Sequence, residues 1–82
     1  MITVISVKPQ ENFTLLVQLS DGRMGEFDVS GYLDKGIFTE LKEYSYFKQV
    51  RPAFGGVVWP HGQDFSADTI EVEMRELEAA NA

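Results

Sequence analysis

Apolar and polar residues alternate through the first third of the chain, and a period of two is what a half-buried strand produces. Residues 2–8 (ITVISVK) are β-branched and alternating, with Ile2, Val4 and Ser6 on one side and Thr3, Ile5 and Val7 on the other. They predict a first strand. Residues 13–20 (FTLLVQLS) repeat the pattern, Asp21-Gly22 supplies a dipeptide that tolerates positive φ in a two-residue hairpin, and RMGEFDV returns. The predicted hairpin turns Phe13, Leu15, Val17 and Leu19 toward the core, with Met24 or Phe27 opposite according to register. Leu16 falls on the other face, so part of that face is expected to be covered too.

After Val29 the period changes. SGYLDKG has turn residues at both ends, and Gly36 precedes IFTELKEYSYF, where Phe38, Leu41 and Ser45 share a helical spacing. A short central helix, or two turns of one, is expected there. Residues 47–54 (FKQVRPAF) read as a strand that Pro52, lacking a ladder donor, confines to an edge or an end. Gly55-Gly56 predicts a hairpin turn and VVWP the strand leaving it. The glycine pair has neither the Walker nor the dinucleotide spacing, so no phosphate loop is indicated.

Pro60-His61-Gly62 ends that strand and places His61 where positive φ is expected. Ser66 then has the form of an N-cap, with Asp68 in the first turn and Phe65 and Ile70 spaced as a hydrophobic staple. Ile70, Met74 and Leu77 recur at helical spacing, and Glu71, Glu73, Glu76 and Glu78 occupy most of the rest. TIEVEMRE also alternates through Ile70, Val72 and Met74, which leaves helix and strand both open for residues 69–76. The caps and the Ala/Glu-rich tail favour helix. The expected fold is a single α+β domain over residues 1–82, an antiparallel sheet of about five strands with a short central helix and a C-terminal helix.

Composition narrows the function classes. A chain of 82 residues is one domain, and at that size only about 60 to 65% of the unfolded surface is buried. Net charge is −6: residues 1–65 hold six bases against eight acids, residues 66–82 one base against five. Such a field repels phosphate backbones, so nucleic acid is not expected as a direct partner, whereas a basic protein is favoured. The absence of cysteine removes disulfides, thiolate metal sites and cysteine nucleophiles. No apolar run approaches the roughly eighteen residues of a membrane span, and no basic segment with an apolar core follows Met1, so a cytoplasmic protein is expected.

Candidate chemistry centres on residues 57–70 (VVWPHGQDFSADTI), which hold the only Trp and the only His. His61 is expected to serve the turn: general-base use needs an orienting carboxylate, which Asp64 could supply, but no nucleophile or second acid is implied by spacing. One His and one Asp make half a metal site, and no cofactor or metal is expected. Trp59 is expected in the core or an interface. Asp28 and Asp34 flank a turn, and Tyr44, Tyr46 and Phe47 form an aromatic cluster at a core margin or contact patch.

Asp21-Gly22, Phe27-Asp28, GIFTEL at residues 36–41, Phe47 and the 57–70 segment occur in an order and spacing that resemble the small bacterial proteins grouped as domain of unknown function 2442. The resemblance runs from about Ile2 to Ile70. The family usually has Asn or another small polar residue at the position of His61, which speaks for a turn residue there. Asp64 matches its pattern, implying a local role between the turn and the helix start. The family has no established activity. Its members are often half of a two-gene module with a companion small protein, domain of unknown function 4160, and such pairs are suspected toxin-antitoxin systems. Some relatives continue into a helix-turn-helix, which the twelve residues after Ile70 do not hold, so direct repression is not expected here.

Three functions follow as expectations. The first is a non-enzymatic interaction module, the antitoxin-like partner of a small basic toxin-like protein, with contacts drawn from Trp59, His61, Asp64, Glu71, Glu73, Glu76 and Glu78. The second is a self-associating structural domain, a homodimer joined through an uncovered edge strand. The third is a small enzyme or ligand-binding domain centred on His61 and Asp64.

Overall fold

In the computed structural model, which describes residues 1–78, the alternating segments form strands and the core fills from their inward faces. The chain runs β1 (Val4–Gln10), β2 (Thr14–Leu19), β3 (Met24–Asp28), a 3-10 helix at Gly36–Lys42, α1 (Tyr44–Phe47), β4 (Arg51–Ala53), β5 (Gly56–Val58), β6 (Asp64–Phe65), α2 (Ala67–Glu73) and β7 (Arg75–Leu77). These make two antiparallel sheets, ordered β1-β2-β3-β7 and β4-β5-β6. The class is α+β, as expected, but seven short strands in two sheets replace the single sheet of about five.

Register settles which residues face inward. Leu15 pairs with Phe27 and Val17 with Gly25, so Leu15, Val17, Leu19 and Phe27 are fully buried while Met24 falls on the outer face. In β1 a bulge between Val4 and Ser6 corrects the simple alternation: Val4 pairs with Leu19 and Val7 with Val17, which brings Val4 and Val7 to one face and leaves Ile5 exposed. Phe13 is not in the strand but ends a 3-10 turn with φ of 58°. Its ring packs edge-on against Phe47, 5.2 Å between centroids.

Turn chemistry differs from expectation at two hairpins. Three residues lie between the hydrogen-bonded Leu19 and Arg23 of the β2–β3 connection, with Leu19 N–H donating to Arg23 O and Gly22 N–H to Leu19 O, and among these three only Gly22 has positive φ. That is a type I turn closed by a glycine bulge. The β4–β5 turn falls one residue earlier than the glycine pair suggested: Phe54 and Gly55 are its central residues, with φ of 53° and 81°, and Ala53 pairs with Gly56. Positive φ at both positions defines type I′. Pro52 does lie on an outer strand, while Phe47 belongs to α1 and not to β4.

The C-terminal region is both helix and strand. Ser66 Oγ accepts from Thr69 N–H at 3.2 Å, so the cap is present, and Ile70 is fully buried. The helix stops at Glu73; Met74 turns extended and residues 75–77 pair with β3, Met24 opposite Leu77 and Glu26 opposite Arg75. A helix continued through Leu77 would lose that pairing, the Arg75–Glu26 ion pair and the close seat of Met74 over Gly25, where even a Cβ would meet sulfur at 2.5 Å. The last four residues, AANA, lie outside the described residues.

Candidate functional site

The turn carrying His61 repeats the geometry of the first hairpin. Trp59 N–H donates to Gln63 O at 2.9 Å and Gly62 N–H to Trp59 O at 3.0 Å, so Gly62, with φ of 101°, takes the positive dihedral and His61 does not. This corrects the expectation for His61. Gln63, opposite Trp59 and two positions before Phe65, turns inward with both and is 2% exposed.

Around Gln63 stands a polar knot. Tyr46 Oη donates to Gln63 Oε1 at 2.6 Å, Gln63 Nε2 donates to Ile37 O and to Glu40 Oε1, both at 2.9 Å, and Tyr46 Oη accepts from His61 N–H at 2.7 Å. His61 Nδ1 lies 2.6 Å from Glu40 Oε2, and its ring stacks on Tyr46 at 5.0 Å. Gln63 and, next, His61 hold the Glu40 carboxyl below its ordinary value against the opposing effect of burial. The orienting carboxylate of His61 is therefore Glu40, from the 3-10 helix. Asp64, the expected partner, sits on the outward face of β6 and makes no such contact.

An imidazole positioned by a carboxylate is the geometry of an acid–base pair, yet this imidazole is 64% exposed. Two grooves of ≈ 440 and ≈ 510 Å³ are lined by other residues, the first by Arg51, Phe54, Val58 and Asp64, the second by Asp21, Arg23, Met24 and Glu76 among others. Among the described residues no three of His, Cys, Asp and Glu cluster as metal ligands would. The arrangement fixes the His61 turn to the 3-10 helix and to α1.

The remaining expected contact residues divide. Trp59 is 2% exposed and its Nε1 donates to Phe47 O at 2.7 Å, so it is a core residue unavailable to a partner. Glu71 binds Arg23 at 2.5 Å, and Glu73 accepts from Tyr32 Oη at 2.7 Å, raising the Tyr32 pKa. Arg23 is held charged chiefly by Glu71 and then by Asp21. Those two glutamates fasten α2 to the β2–β3 turn and to the segment that follows β3. Glu76 is only 3.9 Å from Arg23 and largely open, and Glu78 is exposed.

Glu40, Tyr46 and Gln63 were not legible as a group: Glu40 lies 23 positions before Gln63, and although Gln63 shares the inward face of Phe65, its amide carries no mark of partners so distant in sequence. The exposed Phe54 likewise had no mark beyond its place beside a glycine.

Two small antiparallel sheets around an aromatic-rich core, locked at one end by this polar knot, define a compact α+β domain whose described helices include none long and apolar enough to cross a membrane. The chain belongs to the family described as protein of unknown function (DUF2442), whose model matches residues 4–76. No curated protein matches the chain, and no solved structure does.

Proposed function

We propose that the chain is a non-enzymatic interaction module, the acidic, antitoxin-like half of a bacterial cytoplasmic pair, and that it receives an extended basic segment of its partner along β7. One observation carries this. β7 is the outer strand of the four-stranded sheet and among the described residues pairs only with β3. An outer strand offers unpaired N–H and C=O groups to an added strand. Glu76 and Glu78 border that edge, on a chain of net charge −6, so a segment bearing Lys or Arg is the strand it suits.

Glu71 and Glu73 hold the fold, so the informative variant is Glu76→Gln with Glu78→Gln. Tagged wild-type and variant chains are exposed to host lysate at moderate salt, bound proteins are identified by mass spectrometry, and the isolated partner is titrated directly. A stoichiometric small basic protein whose affinity drops about tenfold or more in the variant, roughly 1.4 kcal/mol, supports the proposal. Equal affinity for both chains removes the β7 edge from it, and recovery of the bait alone removes the partner.

A further inference from the structure

We infer that the outer face of the β4–β5–β6 sheet is a self-association surface whose occupant is a second copy of this chain. Arg51 pairs with Val58 and Val58 with Asp64. Residues directly opposite across antiparallel strands project to one face, so the outer face carries a row reading cation, apolar, anion. The neighbouring pair Val57 and Phe65 faces the core and is buried. Neither Arg51 nor Asp64 joins the ion pairs found within 4.0 Å among the described residues. At about 4.8 Å per strand the two charges stand about 10 Å apart across the row, and Arg51, Val58, Asp64 and Phe54 line a groove of ≈ 440 Å³.

Phe54 is the second observation. It is 96% exposed and holds φ of 53°, a conformation that L side chains other than Asn and Asp rarely adopt. The monomer gains nothing from that ring, since it is neither packed nor relaxed. A contact outside the monomer would use both its exposure and its fixed position at the end of the charged row.

The row is self-complementary in one arrangement. A two-fold axis running parallel to β5 above Val58 sets Arg51 of one copy over Asp64 of the other, twice, stacks Val58 on Val58, and brings the two Phe54 rings together. An axis running across the strands instead sets like charge on like. Contacts between opposite charges offset the repulsion between two molecules of the same net negative sign, and this face supplies them without enlisting the β7 edge. The face is small, below the ~1,200 Å² of stable interfaces, so the dimer is a weak, transient one.

Sedimentation equilibrium of the full chain up to ~1 mM tests this, a range that reads affinities of a few kcal/mol. Wild type is expected to dimerise. Arg51→Glu and Asp64→Arg should each weaken the dimer at least about tenfold, while an equimolar mixture of the two variants should restore it, because every cross-copy contact in that heterodimer is again attractive. Phe54→Asn should weaken dimerisation without lowering the melting temperature, and Glu76→Gln with Glu78→Gln should leave it unchanged. A monomer at the highest concentration, a dimer indifferent to both charge reversals, or a mixture that fails to re-associate overturns the inference. Because the partner test reads β7 and this one reads β4–β6, either can fail alone.

Discussion

The Tyr46 hydroxyl lies 2.6 Å from Oε1 of Gln63 and donates to it inside the protein, tying α1 to the turn that carries His61. Gln63 in turn donates to Ile37 O and Glu40 from the 3-10 helix. Leu in place of Gln63 would leave the Tyr46 donor and the Ile37 carbonyl without their partners, and each stranded buried group costs about 1–3 kcal/mol. Gln63→Leu should therefore destabilise by about 2–4 kcal/mol and Tyr46→Phe, which also strands the His61 amide, by about 1–3 kcal/mol. Urea unfolding measures both; a loss below about 1 kcal/mol for Gln63→Leu would show that the knot does not hold the fold.

Acid should loosen the same end. Gln63 chiefly, with His61, lowers the Glu40 pKa below its ordinary 4.5, and Asp21 is lowered from 3.8 mainly by the Arg23 amide. A carboxyl whose folded pKa is depressed contributes stability that is complete above its unfolded pKa and disappears as pH falls through the folded one. Stability should thus be flat with respect to these groups above pH 4.5 and decline below it. Glu40→Gln should decline less steeply across that acid range. Unfolding midpoints collected in both chains from about pH 7 to pH 3 decide this, and superimposable slopes would exclude Glu40 as a contributor.

Two glycines should respond differently to Ala. A Cβ on Gly56 would stand 2.1 Å from the Phe65 carbonyl oxygen, a backbone atom that cannot give way without separating β5 from β6. Gly62 has open space around it and only the left-handed dihedral to oppose a side chain. Gly56→Ala should cost about 3 kcal/mol or more, in the range of severe overpacking, and Gly62→Ala about 1–2 kcal/mol. Thermal melts rank them; an equal loss at both would mean that the β5–β6 approach is adjustable.

How much of this was written legibly in the sequence depends on the range of the interaction. The β2–β3 hairpin was legible because Leu15, Val17 and Leu19 alternate over six residues and a glycine marks the turn. Ser66 and Asp68 marked the start of α2 because capping acts within three positions. The end of α2 was not legible: Met74 leaves the helix because Gly25, far away in sequence, offers a seat and β3 an open ladder. The bulge in β1 shifted which residues face inward, and a bulge has no reliable mark in a single sequence. Asp64 was expected beside His61 from nearness in sequence alone, but its pairing with Val58 turns it outward to Arg51's face, and Glu40, 21 positions away, takes the place beside His61.

Phe54 gives the last prediction its sharpest form. The type I′ turn formed by Phe54 and Gly55 is the one that favours Asn-Gly, because Asn tolerates positive φ at the first central position. A left-handed L residue bears roughly 1–2 kcal/mol of strain, and a ring that is 96% exposed offsets almost none of it by burial. Phe54→Asn should therefore raise stability by about 0.5–1 kcal/mol, which for a domain this small is a melting-temperature rise of about 2–8 °C. A calorimetric scan at low concentration, where only the monomer is present, measures that change. Loss of stability would mean that the aromatic ring supports the hairpin itself. A gain would show that folding alone does not account for Phe at this position and would leave the contact outside the monomer to be decided by the association of the same variant.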